Sequence, residues 1–200
     1  MGISPAEVEE IFRAAGAFLD GHFVLSSGRH SPRYLEKFQV LQWPESTERL
    51  CAAIAGRARD LRVETVAGPT TGGIILAHEV ARQLGVRAVY AERAESGPGR
   101  AFRRGFQLRP GERVLVVDDI MSTGGSVDET IAAVRAGGAE VVAAAVLVDR
   151  SGGSAHTAGV PYFALWEVSI DSYDPLSCPQ CARGEPARKP GTTPAAMKGA

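Results

Sequence analysis

Apolar and polar positions change their period along the chain, and the changes mark out its elements. The first turn signal is Ser4-Pro5-x-Glu7, which has the chemistry of a helix N-cap and first turn. It predicts a helix through Ala15 that ends near Gly16. Residues 21–41 alternate in places and carry turn residues, which predicts two short strands about a Ser-Gly turn. From Pro44 to Asp60 the period returns to that of a helix, with Leu50, Ile54 and Ala58 on one face.

Beyond that point strands and helices alternate. Short apolar runs at residues 63–67, 87–91, 113–117 and 141–148 read as strands, and 74–84 and 126–136 read as helices closed by Gly85 and by Gly137-Gly138. Residues 93–109 have no clear period and are rich in glycine and arginine. Residues 162–165 and 168–170 read as edge strands, and the stretch from Asp174 onward, rich in proline, glycine and charge, as a loosely ordered tail. Buried strands separated by helices predict an α/β fold with a central parallel sheet covered on both faces.

Composition narrows the classes. The 200 residues are 44% hydrophobic and 22% charged with a net charge of −1, an ordinary globular balance that points neither to nucleic acid nor to a membrane surface. The N-terminus lacks an apolar signal core, so the expected location is cytoplasmic. Arginine dominates the basic residues, and lysine occurs at 37, 189 and 198 alone. Three cysteines make no disulfide framework. Cys178 and Cys181 form a single CxxC, which is half of a zinc set. No second Cys/His pair has the usual spacing and His156 is the nearest histidine upstream, so a plain surface turn at Pro179 is expected.

The chemistry concentrates in residues 114–126, VLVVDDIMSTGGS. Four apolar residues make a buried strand, and Asp118 and Asp119 stand at its carboxyl end, the edge of an open α/β sheet where ligands bind. Ser122, Thr123, Gly124, Gly125 and Ser126 then lead into a helix. Converging backbone amides, hydroxyls and the helix N-terminus make a cradle for a phosphate. The two acids repel an anion and suit a ribose diol or a cation instead. GxxxxGK[ST] and GxGxxG are both absent, which excludes an ordinary P-loop ATPase and a dinucleotide fold.

This string resembles the phosphoribosyl-pyrophosphate motif of the type I phosphoribosyltransferase family. The resemblance implies that Asp118 and Asp119 hold the ribose hydroxyls and that residues 122–126 hold the 5′-phosphate. Further segments are similar to the orotate-specific branch. Residues 25–34, including Ser27, Gly28 and Tyr34, resemble its N-terminal hood over the base, and residues 67–74, with Thr70, Thr71 and Gly72, resemble its pyrophosphate loop. Arg150, after a strand, resembles the arginine that meets the orotate carboxylate, and a guanidinium fork suits that role. Ser122 is placed to hydrogen-bond the base. It stands where some purine enzymes of the fold carry an acid, although other purine enzymes also lack one. The closing CxxC stretch is similar to one bacterial branch.

The resemblance implies a type I phosphoribosyltransferase-like fold, a central parallel sheet flanked by helices with a small N-terminal hood. One domain spans 1–175, with the hood mainly in 1–42 and the core in about 43–160, and a CxxC tail covers 176–200. It implies transfer of a phosphoribosyl group to orotate with loss of pyrophosphate. Mg²⁺ would be carried by the substrate rather than by protein ligands, and a homodimer would share a lid across subunits.

The chain also departs from the family pattern. Ser26 stands where a hood lysine is common, and Gly72 stands where the pyrophosphate loop often has a lysine. The lid at 92–105 lacks its usual lysines and histidine, so Arg93, Arg100, Arg103 and Arg104 are the candidates for its positive charge. Arg93 joins Asp118 and Asp119 as a candidate catalytic group, and Arg93, Arg103 and Arg104 join residues 70–72 as candidate pyrophosphate ligands. Two alternatives stay open: a purine phosphoribosyltransferase, and a non-catalytic nucleotide-sensing regulator on the same fold. The balanced charge argues against RNA binding.

Overall fold

The computed structural model describes residues 2–25, 27–155 and 157–190. Helix α1 (Pro5–Ala14) begins with a complete capping box: the Glu7 amide donates to Ser4 Oγ at 3.3 Å and the Ser4 amide donates to Glu7 Oε2 at 2.9 Å. Strands β1 (Phe18–Val24) and β2 (His30–Leu35) form the antiparallel hairpin of the hood. A short helix α2 (Phe38–Leu41) and the longer α3 (Pro44–Ala58) lead from the hood into the core, followed by a 3-10 turn at Arg59–Leu61.

The core alternates as expected: β3 (Thr65–Pro69), α4 (Gly72–Leu84), β4 (Arg87–Arg93), β5 (Arg100–Phe102), β6 (Arg113–Met121), α5 (Gly125–Ala136), β7 (Glu140–Asp149) and β8 (Tyr162–Glu167). The strands lie in the order β5-β4-β3-β6-β7-β8, with every pair parallel except β4/β5. Side chains of β6 alternate between two cores. Leu115 and Val117 pack with α1, α3 and α4, whereas Val114 and Val116 pack with Val127, Ile131 and Val134 of α5. That two-sided burial is why these strands read as unbroken apolar runs.

Connectivity reverses between β3 and β6. From β3 the chain steps to β4 on one side, and from β6 to β7 and β8 on the other. This switch point opens a crevice at the carboxyl ends of β3 and β6. Both loops singled out in the sequence, 70–72 and 118–126, lie there.

Three expectations are corrected. Residues 168–170 form no strand: after Val168 donates to the Asp149 carbonyl, the chain leaves the sheet to pair Tyr173 with His30 of the hood. The glycine- and arginine-rich 93–109 contains a strand, because β5 folds back on β4 as an edge hairpin. The tail from Asp174 is ordered as far as residue 190. A 3-10 turn (Pro175–Ser177) leads into α6 (Pro179–Ala182), and Arg188 then bridges to Phe23, exchanging backbone hydrogen bonds of 2.8 Å with His22 and Val24. Compositional polarity misled here because backbone pairing to the hood, not an apolar core, orders the segment. No helix among the described residues is long and apolar enough to cross a membrane.

Candidate active site

Asp118 and Asp119 sit near the end of β6, buried to 5% and 2% exposure. Asp118 Oδ1 accepts from the Asp119 amide (2.9 Å), and its Oδ2 accepts from Ser126 Oγ (2.5 Å). Asp119 Oδ1 accepts from the Ile120 amide (2.7 Å) and from Lys37 Nζ (3.0 Å). Asp119 Oδ2 is buried and has no hydrogen-bond partner among the described residues.

A comparison between the two ends of β6 gives that orphan meaning. Glu112, just before the strand, is also buried, yet it is satisfied by the Thr65 hydroxyl, Arg87 and the Arg109 amide. A buried carboxylate oxygen without a donor is costly, so the Asp119 oxygen is free for a hydroxyl donor or a cation. Burial and the adjoining Asp119 charge push the Asp118 carboxyl up to about 6. Burial also raises Asp119, against the opposing pull of Lys37.

The loop after β6 is built for an anion. Gly124 has φ +91°, a left-handed conformation that favours glycine, and α5 begins at Gly125 with no side-chain cap. Whereas the N-cap residue Ser4 caps α1 with its side chain, Gly124 has none to offer α5; the Gly125 amide makes a long 3.4 Å bond to the Thr123 hydroxyl, and Ser122, Thr123 and Gly125 are exposed around the helix start.

The facing loop comes from β3 and α4. A Cβ added at Gly72 would lie 1.9 Å from Asp119 Oδ2. Glycine at 72 is therefore what lets the loop after β3 close against the acid, and a lysine there would displace that carboxylate. Thr70 accepts from Arg100, whose guanidinium Nη1 lies 3.1 Å from its hydroxyl and 3.2 Å from the Ala91 carbonyl, while Nε lies 3.3 Å from Glu129. With a side chain 6% exposed, Arg100 braces the loop from below.

Beside Asp119 opens a cavity of about 270 Å³. Its walls include Tyr34, Lys37, Asp119, Ser122, Arg150 and Lys189. The hood supplies the first two, β6 and its loop the next two, the end of β7 supplies Arg150 and the C-terminal segment supplies Lys189. Arg150 is aimed by a turn in which Asp149 accepts from the Ser151 amide (2.7 Å) and from Tyr162 (3.0 Å). Burial draws the Arg150 guanidinium below its ordinary value, opposed by Tyr34. Burial and the Glu36 charge push the Tyr34 phenol up.

The structure thus brings together Asp118, Asp119, Ser122, Ser126, Tyr34, Arg150 and the loop at 70–72. It does not bring in every residue expected at the site. Ser27 and Gly28 form the exposed hairpin tip, where the Gly28 amide closes on the Leu25 carbonyl, and neither lines the cavity; Ser26 lies outside the described residues. Arg103 pairs with Glu95 and Arg104 with Glu92, both on the β4–β5 hairpin, and Arg93 is exposed next to its turn; none of the three lines the cavity.

Lys37 and Lys189 were not anticipated as site residues. The signal was present, since two of the chain's three lysines line this cavity while arginine forms nearly all the surface ion pairs. The CxxC is likewise not a plain surface turn, because Cys178 is 2% exposed beneath the hood histidines. His156 lies outside the described residues.

Comparison with known proteins agrees with this geometry. Residues 39–176 match the phosphoribosyl transferase domain. The chain is 52% identical over 186 residues to the orotate phosphoribosyltransferase of Desulforamulus reducens, covering 93% of this chain and 96% of that one. It is 46% identical over 189 residues to that of Acidithiobacillus ferrooxidans, covering 93% and 96%. The crystal structure of orotate phosphoribosyltransferase from Aeropyrum pernix superposes with a TM-score of 0.69 at 31% identity, covering 80% of this chain and 93% of that one. At 46–52% identity over nearly the whole length of the first two of these relatives, this chain belongs to the orotate phosphoribosyltransferase family.

Proposed function

We propose that the protein transfers the 5-phosphoribosyl group of phosphoribosyl pyrophosphate to orotate, giving orotidine 5′-phosphate and pyrophosphate. One observation carries this reading: Asp119, with its unpartnered oxygen, and Arg150 line the same small cavity. A diol-binding acid and a carboxylate-binding guanidinium thus share one cavity of about 270 Å³.

In this reading the ribose hydroxyls donate to Asp118 and Asp119, and the 5′-phosphate accepts from the amides and hydroxyls of residues 122–126, replacing the long Gly125–Thr123 bond. The orotate carboxylate takes the Arg150 fork, with Ser122 and Tyr34 contacting the ring. Pyrophosphate leaves over Thr70, Thr71 and Gly72 as positive charge develops on the sugar. No protein nucleophile is needed, because positioning and electrostatics lower the barrier.

Lys37 opposes the effect of burial on Asp119 and orients its carboxylate until the donor arrives. The β4–β5 hairpin is the lid. Its arginines 93, 103 and 104 are held by glutamates or exposed, and on closure they exchange those partners for the leaving group. Mg²⁺ supplies neutralisation of the pyrophosphate charge when bound. Oxygen donors suit it, and the substrate's own oxygens would carry it, with Asp118 and Asp119 engaged by the ribose hydroxyls beside it. A cytoplasmic homodimer, with the lid reaching the neighbouring subunit, completes the reading.

The test is spectrophotometric. With phosphoribosyl pyrophosphate and Mg²⁺, the ultraviolet absorbance of orotate should fall with equimolar pyrophosphate release. Unchanged orotate with consumption of a purine would replace this reading by the purine one.

A further inference from the structure

Away from the cavity, four ligand-type side chains converge on a point that the transferase chemistry does not use. His22 of β1, His30 of β2, and Cys178 and Cys181 around α6 place one ligand atom each within 4.8 Å of one another. Cys178 Sγ lies 3.5 Å from His22 Nε2, Cys181 Sγ 3.7 Å from the same nitrogen and 3.2 Å from His30 Nδ1, and the two nitrogens are 2.8 Å apart. Tetrahedral zinc, with bonds of about 2.0–2.1 Å to nitrogen and about 2.3 Å to sulfur, implies edges of about 3.3 Å between nitrogens and about 3.5 Å between nitrogen and sulfur. The three nitrogen–sulfur distances fall within about 0.3 Å of that edge, the two imidazoles need to part by about half an ångström, and the full set, which spans up to 4.8 Å, contracts slightly on binding.

The surroundings are those of a built site. His22 is 3% exposed, and its other nitrogen, Nδ1, lies 2.8 Å from the Glu185 carbonyl. That carbonyl can only accept, so Nδ1 carries the proton and Nε2 presents its lone pair to the cluster. This is the outer hydrogen bond that metal-bound histidines make. The hairpin is adapted to deliver His22. Register passes from Asp20↔Arg33 to Phe23↔Ser31, so Gly21 and His22 stand opposite Pro32 alone. Such a bulge re-aims a side chain, and here two successive residues, His22 and Phe23, are both buried.

From these contacts we infer that His22, His30, Cys178 and Cys181 form a structural zinc site of His₂Cys₂ type. Two thiolates and two imidazoles select zinc over hard cations, and four protein ligands leave no open position for catalysis. Its role follows from where it lies. The site fastens the C-terminal segment to the hood, and that segment continues through Arg188, paired with β1, to Lys189 and Pro190 at the cavity wall. The metal thereby holds one wall of the base cavity in place across a sequence separation of 156 residues between His22 and Cys178.

The experiment measures metal on the intact protein, purified reduced and without a metal-affinity tag. About one zinc per chain is expected by elemental analysis. After chelation, titration with Co²⁺ should give the visible bands of tetrahedral cobalt together with a thiolate-to-metal band in the near ultraviolet, saturating at one equivalent. Cys181→Ser should lose most of the bound zinc and melt about 5–15 °C lower, whereas Cys51→Ala, at the cysteine outside the cluster, should keep its zinc. Wild-type protein that is metal-free and takes up neither Zn²⁺ nor Co²⁺ would overturn the inference, as would full zinc content in Cys181→Ser. The wild-type titration decides the matter even if a variant does not fold, and it reads metal independently of any transferase activity.

Discussion

The two ends of the active-site crevice are made in opposite ways. The sugar end is contiguous: Asp118, Asp119 and the cradle through Ser126 occupy nine successive positions between β6 and α5. The base end is assembled from distant pieces, with Tyr34 and Lys37 from the hood, Arg150 from the end of β7 and Lys189 from the C-terminal segment. A strand–loop–helix unit can fix a phosphate with local backbone geometry alone. A pocket that must distinguish one ring from another needs side chains converging from several directions, and only tertiary packing supplies those. Chemistry common to a family can therefore sit in one loop, while the choice of base is spread over the fold.

The largest expected effect tests the sugar end. Asp119→Asn keeps the shape of the side chain but removes the charge and one strong acceptor, so kcat should fall about 100- to 1000-fold with the fold intact by circular dichroism. Near-normal turnover would remove Asp119 from the sugar site. At the base end, Arg150→Ala should raise KM for orotate about 10- to 100-fold, the worth of a charge-assisted bidentate contact, and leave KM for the sugar donor nearly unchanged. An equal rise in both constants would break the division between the two ends.

Gly72→Ala sharpens the boundary. Its Cβ would displace Asp119 Oδ2, so kcat/KM for the donor should drop about 10-fold while orotate affinity, measured by equilibrium binding, holds. Loss confined to orotate binding would put the loop at the wrong end.

The smallest effect is on stability. The folded-state carboxyl of Asp118 is raised from an ordinary 3.8 to about 6. The folded protein therefore binds more protons than the unfolded chain between those values. Stability contributed by this group is lost as pH rises from about 4 to 6 and stays lost above. Asp118→Asn should relieve that cost, on the order of 1–3 kcal/mol at pH 7 and close to nothing at pH 4. Denaturant titrations at the two pH values measure it, and destabilisation at pH 7 would contradict the burial argument.

The same division governs what the sequence could reveal. The α/β alternation, the N-cap at Ser4 and the glycine-rich turn from β6 into α5 follow from local rules, and each is present at or within a few residues of its expected place. Arg150 was legible through the family resemblance of its strand-end position, and it lines the cavity. Lys37 was not, because its partner Asp119 is 82 positions away, and neither were His22 and His30, which meet Cys178 and Cys181 only when the tail folds back over the hood. The tail was misjudged for a related reason. Its order comes from backbone pairing with β1 and β2, which leaves no apolar periodicity to read.

The central claim is that this crevice joins phosphoribosyl pyrophosphate to orotate in preference to any purine. A single competition measures it most directly: limiting donor and Mg²⁺ with equimolar orotate, adenine, guanine, hypoxanthine and xanthine, and the nucleotide products separated by chromatography. Orotidine 5′-phosphate should account for essentially all the donor consumed, with pyrophosphate released one for one. A purine nucleotide as the main product, or donor left unconsumed with orotate present, would contradict the account.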